Sequence, residues 1–177
     1  MTPKEMAGRR AAEYIEEGMI VGLGTGSTAE FTIRAIGERV ASGLNIKAIP
    51  TSEASADLAR ELGIKLTSLE DDPTVDLTID GADEVDPGLD LIKGLGGALL
   101  REKIVASATV RQIIIVDPSK LVDQLGTQAP LPIEVIPFSW SLVARRLSDQ
   151  GIKPTLRLQQ LDQPFITDNG NYIIDGH

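Results

Sequence analysis

Along this chain, short apolar runs alternate with longer stretches in which apolar residues recur every three or four positions. The short runs are Met19 to Leu23, Ile46 to Ile49, Val75 to Ile79, Leu89 to Ile92 and Gln112 to Val116. Such runs, bounded by glycine, proline or aspartate, read as strands buried on both faces. Between them the helical period predicts helices over 28–41, from Ser52, as an N-cap, to Gly63, and over 98–106. Thr2-Pro3-Lys4-Glu5 has the form of a capping box with proline in the first turn, and Gly18 is expected to close that helix. Strands alternating with helices predict an α/β fold: a mostly parallel sheet with helices on both faces. In that architecture ligands sit beyond the carboxyl ends of the strands.

The pattern changes near Gln128. Pro130, Pro132 and Pro137 bracket a strand expected over 133–136, and a helix is expected from about Ser139 to Gly151. Two more strands are expected over 155–158 and 172–174, with Asn169-Gly170 as a turn between them. This strand–helix–strand–strand order matches the opening two-thirds of a ferredoxin-like β-α-β-β-α-β unit, lacking the last helix and strand. The expected division is therefore residues 1–128 as an α/β domain and 129–177 as a smaller, partial α+β domain.

Composition narrows the chemistry. Of 177 residues 42% are hydrophobic but only 3% aromatic, so the core must be built from Ile, Leu, Val and Ala. A formal net charge of −9 argues against nucleic acid as a partner, since a duplex needs a basic face to displace its counterions. With no cysteine, disulfides, thiolate chemistry and zinc–thiolate sites are excluded. No apolar run is long enough to span a bilayer and Met1 to Gly18 is a charged amphipathic stretch, so a cytoplasmic location without membrane contact is expected.

Three segments carry candidate chemistry. "GLGTGSTAE", residues 22–30, sets Thr25, Gly26, Ser27 and Thr28 between a strand and a helix, where converging amides and a helix N-terminus can hold a phosphate. Gly24, Gly26 and Ala29 also satisfy the loose dinucleotide pattern G-x-G-x-x-A, with Glu53 then available to a ribose. "IDGADEVD", residues 79–86, places Asp80, Asp83, Glu84 and Asp86 at a strand's carboxyl end. Such carboxylates can bind Mg²⁺, move protons between substrate hydroxyls, or simply form a solvated Asp-Gly turn. "KGLGGALLREK", residues 93–103, brings Lys93 off an apolar run close to those carboxylates. There a cation relieves repulsion and stabilises an oxyanion, whereas a metal site would gain little from it. Glu102 on the following helix, Lys120 in "VDPSK" and Lys4 on the first helix would ordinarily be solvent-facing.

Taken in order, "GLGTGSTA", "TSEAS", "DGADEVD", "KGLGGALLREK", "VDPSK", "LPIEVIP" and "TDNGNYIID" resemble the A-type ribose-5-phosphate isomerases over essentially the whole chain. The resemblance implies interconversion of ribose 5-phosphate and ribulose 5-phosphate, in the non-oxidative pentose phosphate pathway, without metal or organic cofactor. It implies a homodimer. By position, Glu102 would be the base, with Asp80, Asp83 and Lys93 also catalytic. Thr25, Gly26, Ser27, Thr28, Gly81, Ala82, Gly94, Leu95, Gly96, Lys120 and Lys4 would bind the phosphorylated pentose. Leu95 stands where the family usually has glycine, and the family continues past the position of His177. Two other readings are a non-enzymatic sugar-phosphate sensor and a nucleotide-dependent oxidoreductase. The first needs an output module, which the chain does not display; the second rests on the loose glycine pattern.

Overall fold

The computed structural model describes residues 1–159 and 162–177. In chain order the first elements are α1 (Pro3–Ala12), β1 (Ile20–Leu23), α2 (Ser27–Ala41), β2 (Lys47–Pro50), α3 (Glu53–Glu61) and β3 (Val75–Gly81). There follow β4 (Glu84–Val85), β5 (Leu91–Ile92), α4 (Leu99–Ser107), β6 (Thr109–Ile115), β7 (Leu131–Val135), α5 (Trp140–Asp149), β8 (Pro154–Leu156) and β9 (Tyr172–Gly176). The chain forms two compact units, residues 1–82 with 100–120, and residues 83–99 with 121–177.

In the first unit, four strands form a parallel sheet in the order β2-β1-β3-β6. Side chains alternate faces along a strand, so neighbours enter different clusters. Val21, Leu23, Ala48, Leu77 and Ile79 pack with Ala11, Ala12, Ile33 and Ile36 from α1 and α2. Ile20 and Ile49, on the opposite face, meet Val105 of α4 instead, in a cluster that also takes in Val75 at the start of β3. Helices thus cover both faces, as the alternating pattern predicts. Among the described residues, every buried apolar side chain other than Pro132 is Ala, Val, Leu or Ile. At about 25 cal/mol per Å² of buried apolar surface, such aliphatic burial drives this unit's folding.

The helix starts follow their caps. Thr2 Oγ1 accepts the Glu5 N–H at 3.2 Å, and Ser52 Oγ accepts that of Ser55 at 3.1 Å. α1 ends at Ala12 rather than Gly18. The Arg39 guanidinium takes the Ala12 carbonyl, and the chain then leaves toward β2, where Asn45 O accepts the Gly18 N–H at 2.8 Å. β6 begins at Thr109, three residues before the apolar run that predicts it. Its first residues take their place from pairing with β3, in which Val75 faces Thr109, although Val110 is exposed.

In the second unit, β7, β8 and β9 form an antiparallel sheet in the order β7-β9-β8, with α5 linking β7 to β8. Both outer strands run against β9 and hence parallel to each other, the split arrangement expected of a ferredoxin-like opening. Asn169-Gly170 lies in the turn before β9, where the Gly170 N–H reaches Thr167 O at 2.9 Å. The run Leu89 to Ile92 is not a strand of the parallel set. Leu89 has φ +64° in a turn held by Asp86, and only Leu91–Ile92 is extended, antiparallel to Glu84–Val85. Asp86 Oδ1 accepts the N–H groups of Gly88 at 2.8 Å and Asp90 at 2.9 Å, which bends the apolar run before it can extend.

Glu84 is fully buried in this unit. Its Oε1 accepts the N–H groups of Gln128 at 2.5 Å and Ala129 at 2.7 Å, and its Oε2 that of Gly126 at 2.6 Å. Burial alone would push this carboxyl up, but the three backbone donors outweigh it and hold its pKa below the ordinary glutamate value. A depressed folded-state pKa contributes stability above the unfolded value of about 4.3, and that stability is lost as pH falls through the folded value. The Glu84→Gln chain is therefore expected to have a lower urea midpoint than the unsubstituted chain at pH 7. The gap should close on acidification below about pH 4; a gap of constant size would show that the charge on Glu84 contributes nothing.

Candidate active site

The site of the first unit is assembled by strand register. β1 lies between β2 and β3, with Leu23 opposite Pro50 on one side and Ile79 on the other. Gly24 and Thr51, just beyond β1 and β2, and Asp80, next after Ile79 near the end of β3, are therefore neighbours. In this strand order the chain departs from β1 in one direction and from β3 in the other, the switch point at which open α/β sheets bind ligands.

Asp80 is fully buried beneath the glycine loop. Its Oδ1 accepts the Thr25 N–H at 3.1 Å and the Gly81 N–H at 2.7 Å. A side chain at Gly24 would put its Cβ 2.3 Å from that same oxygen, so the loop closes over Asp80 only because residue 24 is glycine. Thr25 Oγ1 lies 2.7 Å from Thr51 Oγ1, 2.8 Å from Ser52 Oγ and 3.3 Å from Ser55 Oγ. Thr51 donates to Leu23 O at 3.0 Å and Ser55 to Gly24 O at 2.7 Å, so buried hydroxyls brace the loop from behind.

Beyond this brace, α2 opens at Gly26, with φ +110° and no side-chain cap. The N–H groups of a first helical turn have no partner within the helix, and their dipoles favour an anion. Lys4 stands at the same place, with Nζ 2.9 Å from Ser27 Oγ and 4.0 Å from Asp117 Oδ2. Asp117 follows β6, and Lys120 closes the short turn Pro118–Lys120 after it. The Ser119 hydroxyl and N–H, assisted by the charges of Lys4 and Lys120, hold the Asp117 carboxyl below its usual range. Lys4 therefore lies between Ser27 and Asp117 beside the glycine loop, and the charge of Lys120 adds to the field at Asp117.

Gly81 and Ala82 are half-buried at the end of β3. Glu102, in the first turn of α4, is only 7% exposed, contrary to the ordinary expectation for a helical glutamate. The adjacent Arg101 pairs with Glu53 at 2.7 Å, which lowers the Glu53 carboxyl; Glu53 thus opens α3 as an ion-pair partner of α4. That occupation weighs against the nucleotide reading in which Glu53 meets a ribose.

In the second unit, Asp83 and the lysine loop form another group. Asp83 Oδ2 accepts the Leu95 N–H at 2.9 Å, and its own N–H reaches Ile92 O at 2.8 Å. Lys93 is half-buried; Gly96 and Leu95 are exposed. Leu95 uses its backbone for this bond without a left-handed φ, which explains how leucine is accommodated in a glycine-rich loop. The four carboxylates at 80–86 share one kind of partner. Each is engaged separately by backbone N–H groups. No helix among the described residues is long and apolar enough to cross a membrane, and none of their acidic and histidine side chains group as a metal site.

The residue pattern undervalues Thr51, Ser55 and Asp117. The signals were T-S-x-x-S directly after a strand, and an aspartate at the corresponding place after β6. Ser55→Ala would leave Gly24 O without its hydroxyl donor, at an expected cost of about 1–3 kcal/mol. Urea unfolding should show a lower midpoint with an unchanged slope; an unaltered midpoint would mean that the hydroxyl brace carries no stability.

Comparison with known proteins places the chain. The family model for ribose 5-phosphate isomerase A (phosphoriboisomerase A) matches residues 47–177. The ribose-5-phosphate isomerase A of Gloeobacter violaceus is 58% identical over 173 residues, spanning 97% of this chain and 75% of that protein. That of Roseiflexus castenholzii is 51% identical over 176 residues, spanning 98% and 75%. Among solved structures, a D-ribose-5-phosphate isomerase in complex with phospho-erythronic acid aligns with TM-score 0.95 at 45% identity, covering 98% of this chain and 77% of that one. The Methanocaldococcus jannaschii ribose 5-phosphate isomerase A aligns at 0.94 and 44%, covering 98% and 78%.

Proposed function

Because the chain belongs to the ribose 5-phosphate isomerase A family, we propose that it is an aldose–ketose isomerase acting on ribose 5-phosphate and ribulose 5-phosphate through an enediolate. The observation that carries this reading lies in the first unit. An uncapped helix N-terminus follows a loop fastened to a buried aspartate, with Lys4 on the helix's first hydroxyl. That is a phosphate cradle beside an acid, as a phosphorylated sugar requires. In this reading the amides and hydroxyls of residues 25–28, with Lys4 and Lys120, anchor the phosphate, so that binding energy goes into orienting the sugar.

The chemistry then runs along carbons 1 and 2. Glu102 removes the proton from carbon 2 of the open-chain aldose, and the electron pair forms the carbon–carbon double bond of an enediolate as charge moves onto oxygen 1. Returning that proton to carbon 1, while the oxygen 2 proton passes to oxygen 1, gives the ketose. Burial suits Glu102 to the base role, since it keeps bulk water from the proton carried between the two transfers. Lys93 stabilises the oxyanion, with Gly94, Leu95 and Gly96 lining the sugar. Asp80 and Asp83, with Gly81 and Ala82 between them, serve the hydroxyl protons and ring opening. The complex of a relative with phospho-erythronic acid supports this reading, because a sugar-acid carboxylate has the two planar oxygens of an enediolate.

The reading includes a catalytic part over residues 1–128, a smaller part over 129–177, action as a homodimer in the cytoplasm, and independence of metals. Glu102→Gln keeps size and removes basicity. Its kcat for ribose 5-phosphate should fall by about 10²–10⁴-fold while sugar-phosphate binding by calorimetry persists; near-normal turnover would remove Glu102 from the role. Activity should be unchanged in EDTA, and loss that Mg²⁺ restores would transfer the carboxylates to metal binding.

A further inference from the structure

The lysine loop is held by more than Asp83. Arg157, just past β8, donates from one terminal nitrogen to the carbonyls of both Gly94 and Leu95, each at 3.0 Å. Its Nε donates to Asp175 Oδ2 at 2.9 Å, and its other terminal nitrogen meets Asp175 Oδ1. The Phe165 ring lies 5.9 Å from the guanidinium, and the Phe165 N–H binds the Arg157 carbonyl at 2.9 Å. The same ring occupies the space a side chain at Gly97 would need, its edge 2.6 Å from that Cβ position. Both members of the ion pair are largely withdrawn from water, with side chains 13% and 16% exposed.

From this geometry we infer that Arg157 is a positioning residue for Lys93. A planar guanidinium can satisfy a carboxylate along one edge while directing a further nitrogen at two successive carbonyls; an ammonium cannot span both. Asp175 fixes the plane, Phe165 supports its face, and the loop carbonyls read its position. Asp83 holds the Leu95 N–H of the same segment. The Gly94–Leu95 peptide group, one residue beyond Lys93, is thereby held at both its carbonyl and its N–H, although the loop contains the three glycines Gly94, Gly96 and Gly97. Arg157 touches no reacting atom in this account: it acts by keeping the Lys93 ammonium where charge develops. The inference rests on the isomerase reading above for the role of Lys93, and on the loop geometry alone for the clamp.

The test uses the whole chain with Arg157→Ala and Arg157→Lys. Loss of the clamp should lower kcat for ribose 5-phosphate about 100-fold, the scale of a small misplacement of a catalytic group. Inhibition by inorganic phosphate should stay nearly constant, because Arg157 takes no part in the bonds that fasten the glycine loop. Free guanidinium should restore part of the lost kcat in Arg157→Ala where equal sodium chloride does not, and Arg157→Lys should fall between. Hydrogen exchange should quicken at the Leu95 and Gly97 amides of Arg157→Ala. Wild-type kcat in both variants, or unchanged exchange at those amides, would overturn the clamp. So would a loss of kcat accompanied by an equal weakening of phosphate inhibition and no guanidinium rescue, which is general damage. An unsubstituted chain that fails to isomerise ribose 5-phosphate would instead count against the isomerase reading, and amide exchange would still decide whether Arg157 holds the loop.

Discussion

The structure depends on carboxylates that accept hydrogen bonds from backbone N–H groups. An acidic chain that places Asp80, Asp83, Glu84 and Asp86 within seven residues faces self-repulsion unless each charge is met separately. Here each is met by amides drawn from a different stretch of chain: the glycine loop for Asp80, the lysine loop for Asp83, residues 126–129 for Glu84, and residues 88 and 90 for Asp86. A charge-assisted bond from N–H to carboxylate is about twice as strong as a neutral one. The same bonds also tether loops, so the segment after β3 organises both groups of candidate site residues. Electrostatic relief and loop placement are one interaction seen from its two ends.

Parallel register supplies the other half of the arrangement. The carboxyl ends of β2, β1, β3 and β6 follow one another across the sheet, and each delivers a polar residue: Thr51, the glycine loop, Asp80 and Asp117. Close approach is possible because the strand ends carry little bulk. The buried hydroxyls behind the loop then bond the carbonyl of Gly24 and that of Leu23, which also accepts the Thr51 N–H. A loop braced in this way presents its helix amides without reorganising, which is what a phosphate anchor needs if its binding energy is to orient the sugar.

Much of this was legible in the residue pattern, and the exceptions share a cause. Strands and helices whose signals are local, such as the Thr2 and Ser52 caps and the apolar core of β3, fall where periodicity puts them. The misplacements arise where a group outside the apolar run itself decides the outcome. Arg39 ends α1 before Gly18, Asp86 bends the run at Leu89, and pairing with β3 extends β6 back to Thr109. The site divides in the same way. The glycine loop, Asp80 and the lysine loop announce themselves by composition. Lys4 looked like one more surface lysine because its partners, Ser27 and Asp117, lie far along the chain. Glu102 looked exposed because one turn of sequence does not report what covers a helix.

The number and direction of amide donors also separates carboxylates with different duties. Glu84 has both oxygens occupied, three N–H groups in all, and its pKa is depressed despite complete burial. A group so stabilised as an anion is a poor carrier of protons, since taking one up would forfeit those bonds. Asp80 receives its two loop amides on a single oxygen, so those two bonds orient the carboxylate without spanning both of its edges. Burial by itself therefore does not mark a catalytic acid or base in this chain. A buried carboxylate clamped at both oxygens by backbone N–H groups, as Glu84 is, holds the fold rather than carrying protons.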